Sequence, residues 1–471
     1  MSKVYSDFVI IGSGAAGSVL SYFLSKKGFK ISLVDSAEIV PKDLVERTSV
    51  FSFVDQKPKN YTPRISGVLG GNTEIWGSKI WLMSKHEFKE GLWGFGYTEL
   101  KEYSKKLANA LNIDHKELTG SKVEFGFSLR KSMRAKFKNL YKYLNIGNNQ
   151  NILTFAEYSP VRIKCDSQSD GSAAKGLTIM NRAGHTIDID IGKSLIFCAG
   201  GLNNSRLILS LLNKCSVLTG CFLNDHPHIN VGKFDRHALT RFENISKPYL
   251  RQESMGCSEG NYILKDHNFA GIQLDGRVDI VRFMKKIYLS SDNVYARRFV
   301  QTIEFFVLKY FGLCYKIMSK LRISQNFFSF EFFFSQTLDV ENKLYLSDKV
   351  DDFGLPKLNI SWKVSQSDIS SYDRMIGTVF TKEELRYPGL KGRKNFSIDS
   401  VLSGYHPSST TKIGDDADTG VVDKDLKLFN YGNVYVCGSS VFPSRSVVNP
   451  TWTIMSLAAR LADHLAPTER P

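Results

Sequence analysis

The sequence predicts an α/β fold: a nucleotide-binding domain with a parallel sheet, interleaved with a mainly antiparallel α+β domain. Three observations predict it. Residues 7–11, Asp-Phe-Val-Ile-Ile, form a short apolar run that ends on glycine and leads into a helical pattern; a second such unit begins at Ser194; an apolar strand at Val434–Val436 again ends on glycine. With 471 residues and 53.1 kDa, 42% of them hydrophobic and 23% charged, the chain has the size for two or three domains and the composition of a folded protein.

The first unit is the most informative. Residues 7–11 read as a buried parallel strand, and Gly12-Ser13-Gly14-Ala15-Ala16-Gly17 follows at once. Gly12 permits the tight turn, Gly14 lets a pyrophosphate approach the backbone, and Gly17 allows the helix to pack closely on the strand. The helix runs to about Lys27 with Val19, Leu20, Phe23 and Leu24 on its inner face, and Gly28 ends it. A second strand, Lys30 to Val34, leads to Asp35, 18 positions past Gly17, where an acid accepts hydrogen bonds from the adenosine ribose. The unit does not separate FAD from a nicotinamide cofactor, since both use it.

Lys and Arg number 62 against 47 Asp and Glu, giving +15 and a pI near 9.3, so phosphate-bearing and membrane-surface partners come into consideration. Zinc-finger, basic-zipper and RNA-recognition signatures are missing from the sequence, and no nucleic acid partner is expected. Seven scattered cysteines without a CxxC pair argue against a disulfide framework and against a metal site. The apolar N-terminal run leads straight into the glycine motif, so it is not read as a cleaved signal, and a cytoplasmic location is expected.

Residues 64–77, Arg-Ile-Ser-Gly-Val-Leu-Gly-Gly-Asn-Thr-Glu-Ile-Trp-Gly, hold Gly70-Gly71-Asn72 in a small-residue loop. Residues 403–414, Ser-Gly-Tyr-His-Pro-Ser-Ser-Thr-Thr-Lys-Ile-Gly, and 434–463, with Cys437-Gly438-Ser439 and Asn449-Pro450-Thr451-Trp452-Thr453, complete the set. Together they resemble the glucose-methanol-choline oxidoreductases over about 1–110, 190–230 and 400–465. The resemblance implies FAD, with the loop at Gly70, Gly71 and Asn72 approaching the flavin, and a C-terminal segment that completes the FAD-binding domain. Some members attach FAD through a histidine where this chain has Ile75, so noncovalent FAD is expected. Gly438, Ser439, Pro450 and Thr451 would lie against the cofactor. Ser409 replaces the family's usual glycine and Lys412 its usual arginine.

The same resemblance places His406 at the catalytic histidine and Asn449 at the second active-site position. Oxidising an alcohol carbon requires a hydride aimed at flavin N5 while a base takes the hydroxyl proton; an amide hydrogen-bonds but cannot be that base, so the proton falls to His406. Taken alone, His-Pro and Asn-Pro are common turn dipeptides, and their weight comes from occurring together. Asn-Pro-Thr-x-Thr is most similar to the pyranose oxidase and sugar dehydrogenase branch, which implies a sugar-like or lipid-linked sugar substrate. A non-sugar alcohol and a non-catalytic, membrane-recruited binding protein on the same fold are the alternatives. No motif names the electron acceptor.

Ser194–Leu209 reads as strand, Ala199-Gly200-Gly201 turn and helix, with the glycines near the adenine half or merely turning the chain. Asp225-His226-Pro227-His228 is tempting as a metal cluster but has no further ligands at metal spacing, and it is read as structural. Tyr97–Leu111 has helical periodicity, and strands recur over 155–199 with Gly171, Gly176 and Gly184 marking turns. Residues 281–322 carry nine basic residues against Asp292 and Glu304, interleaved with aromatics. A peripheral contact with an anionic membrane and a solvated face of the substrate domain both fit that stretch. The expected division is 1–90, 150–235 and 400–465 for the FAD-binding domain, with 91–149 and 236–399 for the substrate-binding domain.

Overall fold

Apolar runs bounded by glycine turns do become the central sheet of the computed structural model. It describes residues 3–38, 51–53, 65–119, 122–124, 127–130, 133–168, 171–234, 251–252, 258–263, 270–275, 328–381, 401–444 and 446–467. The strand Lys3–Ile11 lies between Ile31–Asp35 and Thr186–Phe197, parallel to both. Ile152–Ala156 extends the parallel set on one side, and Val434–Val436 pairs in parallel with the end of Thr186–Phe197 on the other. The N-terminal half of that long strand instead pairs antiparallel with Gly171–Asn181, which pairs with Tyr158–Gln168. One strand thus serves as the border between parallel and antiparallel halves.

Phe8, Val9, Ile10, Leu33, Leu195, Ile196 and Val436 are fully buried, as a parallel strand covered on both faces requires. The first helix, Ala15–Lys26, packs against the C-terminal helix, Thr451–Leu465, which in turn packs on Tyr97–Ala110. Trp452 is fully buried and its indole N–H donates to Ser104 Oγ at 2.8 Å. Arg460 fastens the same pair of helices through Glu99 at 2.6 Å and reaches Asp425 at 2.8 Å. The last segment of the chain therefore closes the core that the first segment opens.

The first helix starts and stops where the glycines predict. It spans Ala15–Lys26, Gly28 follows at φ +85, and a Cβ on Gly17 would fall 1.8 Å from the Gly12 carbonyl oxygen. Gly171 and Gly184 sit at turns with positive φ, whereas Gly176 lies inside its strand, where the register shifts between Ala174 and Gly176. It marks a bulge rather than an end.

The second sheet is antiparallel over most of its width. His228–Phe234 pairs with Val401–Leu402 on one side and Phe328–Phe334 on the other; Ala270–Asp275 and Ser258–Ile263 follow. No helix among the described residues is long and apolar enough to cross a membrane. The basic aromatic stretch 281–322 lies outside the described residues.

Candidate active site

Four strands of the parallel set point their C-terminal ends at one cavity of about 720 Å³. Ile11 and Gly12, Val34 and Asp35, Cys198 and Ala199, and Gly438 with Ser439 all line it. Open α/β sheets bind ligands outside the carboxyl ends of their strands for this reason: the turns there leave a crevice and aim helix N-termini into it. Two helices begin at its wall, after Gly14 and after Pro450, and neither has a side-chain cap. Their first N–H groups favour an anion in the crevice.

At one end of the cavity most of the expected cofactor-binding residues meet. Gly12, Gly14, Ala15, Ala16, Asp35, Gly71, Asn72, Gly438, Ser439, Pro450 and Thr451 all border the cavity. Gly17 and Gly70 do not; they act behind it. Gly17 permits the helix-on-strand approach described above, and Gly70 turns the loop at φ +98. A Cβ on Gly14 would meet no protein atom within 4 Å, while a Cβ on Gly71 would come within 3.1 Å of the Gly14 Cα. Two glycine loops thus form one cradle with backbone on its surface.

A hydrogen-bond chain joins these loops. The Gly70 N–H donates to Ser13 Oγ at 2.8 Å, and Ser13 Oγ donates to Asp35 Oδ2 at 2.6 Å. Asp35 also accepts from the N–H groups of Ser13 and Ala37, at 2.7 and 2.9 Å. A carboxylate offers about four lone-pair sites, so one remains for a ribose hydroxyl. The cradle, the open acceptor on Asp35 and the uncapped helix starts fit a dinucleotide such as FAD. Beyond Asp35, Arg206 donates to Asp351 at 2.6 Å and Arg182 sits over Phe353 between Glu38 and Asp352, so residues 351–357 wall off this end.

At the other end of the same cavity stand His406 and Asn449. The Asn449 side chain is hydrogen-bonded to His406. Burial lowers the His406 pKa below the usual histidine value, and the charge of Asp225 and the Asn449 hydrogen bond oppose that shift. Tyr405, just before it, holds φ +59, a strained conformation of the kind that persists where neighbours over-determine it.

Two buried carboxylates, neither read from the sequence as functional, hold this end together. Asp225 accepts the backbone N–H groups of His226 and His406 at 2.7 and 2.9 Å and the Ser403 hydroxyl at 2.5 Å. Glu87 accepts Ser84 N–H and Oγ with one oxygen and Ser446 Oγ and Val447 N–H with the other, at 2.7 to 3.2 Å. Glu87 therefore ties the 446–448 loop, which delivers Asn449, to the start of a helix some 360 residues earlier in the chain. Gly201 is pressed against the Pro407 carbonyl, where a Cβ would fall 2.0 Å from its oxygen, and Ser439 Oγ donates to that oxygen at 2.7 Å.

The Asp225-His226-Pro227-His228 motif, expected to be structural, divides: Asp225 bonds the His406 backbone and the His226 ring lies 5.2 Å from that of His406, whereas His228 lines the cavity. Among the described residues no group of three or more His, Cys, Asp or Glu side chains is placed to hold a metal. Lys79, also missed, lines the cavity close enough for its charge to lower the pKa values of both His228 and His406.

Residues 10–40 match the NAD(P)-binding Rossmann-like domain, and residues 339–458 match the GMC oxidoreductase family, in a segment that carries both His406 and Asn449. Residues 339–458 thus resemble the GMC oxidoreductases. Over 137 residues the chain is 27% identical to 2-methyl-1,2-propanediol dehydrogenase of Mycolicibacterium austroafricanum, covering 29% of the chain and 24% of that relative. Over 113 residues it is 27% identical to pyranose 2-oxidase of Tricholoma matsutake, covering 24% and 20%. The aligned stretches thus span about a quarter or less of these relatives' own length. Formate oxidase of Aspergillus oryzae RIB40, in a variant structure, superposes with a TM-score of 0.63 at 15% identity over 98% of both chains, which shows a shared fold.

Proposed function

We propose that this protein is a GMC oxidoreductase that binds FAD noncovalently and oxidises a CH–OH group of a sugar-like substrate. The observation that supports this reading is the continuity of one cavity from Asp35, past the paired glycine loops, to His406 and Asn449. When bound, FAD supplies the two-electron acceptor. Gly14 and Gly71 give its phosphates room, Asp35 takes a ribose hydroxyl, and the first turns of the two uncapped helices offer N–H donors. Ile75, which lines the cavity, has no nucleophile with which to form a covalent link.

His406 accepts the substrate hydroxyl proton on an imidazole nitrogen. Burial keeps that nitrogen deprotonated below the usual histidine range, so the base form is present at neutral pH, while Asp225 favours the imidazolium once it forms. Asn449, hydrogen-bonded to His406, orients the imidazole and can donate to the substrate oxygen. A sugar is favoured over a simple alcohol because the Asn-Pro-Thr-x-Thr stretch resembles the sugar-oxidising branch and pyranose 2-oxidase is among the relatives. A cytoplasmic site of action and, through 281–322, contact with an anionic membrane carrying a lipid-linked sugar remain part of the proposal.

The test is the absorption spectrum of the purified protein, followed by anaerobic titration with sugars. Flavin bands that survive gel filtration, leave with the supernatant after acid precipitation and bleach on adding sugar are expected. A colourless protein would remove the FAD reading, and flavin that no alcohol reduces would remove the reaction.

A further inference from the structure

The histidine that the mechanism above leaves unused is His228. It begins the strand His228–Phe234 and pairs across the sheet with Phe333 and Leu402. Its ring sits edge-on to Phe333, with centroids 3.9 Å apart, and both residues line the cavity. Gly404, two residues before His406, packs on it so closely that a Cβ there would fall 3.0 Å from His228 Nε2. His228 and His406 therefore border the same space from two different segments.

The chemistry of that ring is unusual for so enclosed a group. Burial pushes its pKa down to about 3, helped by the positive charges of His406 and Lys79, so the ring stays neutral across the physiological range. No hydrogen bond reaches either ring nitrogen among the described residues. His228 is only partly buried and lines the cavity, so its ring can be completed by a polar group bound there. A neutral imidazole carries one donor and one acceptor, which is what one hydroxyl can satisfy.

We propose that His228 is a specificity-determining residue that binds a second hydroxyl of the substrate, beside the one whose proton goes to His406. The substrate class is then a vicinal diol or polyol, not a mono-alcohol. This deepens the proposed CH–OH oxidation and rests on it. Sites built to hydrogen-bond a substrate hydroxyl reject the analogue lacking it, because the protein group is then left unpaired.

The test compares 1,2-propanediol with 1-propanol, and D-glucose with cyclohexanol, as reductants of the flavin in wild type, His228→Phe and His228→Gln. The wild type is expected to favour each polyhydroxylated compound. His228→Phe should lower kcat/KM for these by about tenfold and leave the mono-alcohols within about twofold, the size of one lost hydrogen bond. His228→Gln, which keeps a donor and an acceptor, should recover part of the loss. Equilibrium binding of 2-deoxy-2-fluoroglucose, read by its perturbation of the flavin spectrum, should weaken in parallel in His228→Phe. Equal losses for both classes, or none, would overturn the proposal and leave His228 a packing residue. If no alcohol reduces the wild-type flavin, the failure is that of the oxidation itself, and the His228 proposal falls with it.

Discussion

At the nucleotide end, the cavity wall from Ile11 to Asp35 comes from one uninterrupted stretch, and its working surface is largely backbone laid open by glycine. At the imidazole end, His228, His406 and Asn449 arrive from three distant segments, aligned by Asp225 and Glu87 across separations of 181 and 360 residues. A site made of local backbone can be read from spacing alone. A site made of side chains must be held in register by buried hydrogen bonds whose partners share no local pattern. The first is sensitive to added volume, the second to lost acceptors.

The largest effect should come from separating two glycines within the first region. Gly17→Val should abolish soluble folded protein, since even a Cβ would sit 1.8 Å from the Gly12 carbonyl oxygen. Gly14→Val should instead fold, with a near-wild-type melting temperature and no flavin, because its side chain meets no protein atom and occupies only the cradle. Circular dichroism and flavin content of the two variants check this. A flavin-replete Gly14→Val protein would mean that the cradle holds something else.

The same contrast explains what was legible. The first helix, Asp35 and the Val434–Val436 strand could be placed because glycine, periodicity and a terminal acid are local signals. His406 and Asn449 could be placed only by resemblance, since His-Pro and Asn-Pro by themselves signal turns. Asp225 and His228 were noticed together, but their separate roles depend on which way alternate residues of a strand entrance face, and the sequence does not state that. Glu87 was not read from the sequence; its capping box with Ser84 and its grip on Ser446 and Val447 emerge only in the folded chain.

The second region should be more acid-labile than the first. His226, His228 and His406 all have pKa values lowered by burial from the ordinary 6.5. The unfolded chain binds protons there that the folded chain refuses, so their contribution to stability is full above about pH 6.5 and falls as pH drops. For His228 the loss continues to about pH 3. Urea melts from pH 7 to pH 5 should show this decline, less steep in His228→Gln. A decline of equal slope in that variant would place the titration elsewhere.

A smaller effect tests the boundary between the two regions. Ser409 stands where the family has glycine, at φ +70, and its buried Oγ has no hydrogen-bond partner among the described residues. Ser409→Gly should raise stability by about 1 kcal/mol, by relieving the left-handed backbone and removing the orphaned hydroxyl. Lys412, the other departure, is anchored to the Thr419 carbonyl and lies over Phe222, away from the cavity. A destabilised Ser409→Gly protein would show that the serine is needed for packing.

The measurement that bears most directly on the shared cavity is anaerobic flavin reduction by D-glucose, followed by stopped-flow absorbance in wild type, His406→Ala and Asn449→Ala. All three should purify with flavin, since neither side chain belongs to the nucleotide cradle. Reduction should slow by about a hundredfold or more in His406→Ala, as loss of a general base requires, and by about tenfold in Asn449→Ala. The wild-type rate should be flat near pH 7 and fall only below the ordinary histidine range. Equal reduction rates in wild type and His406→Ala would contradict the assignment and put the chemistry at another wall of the cavity.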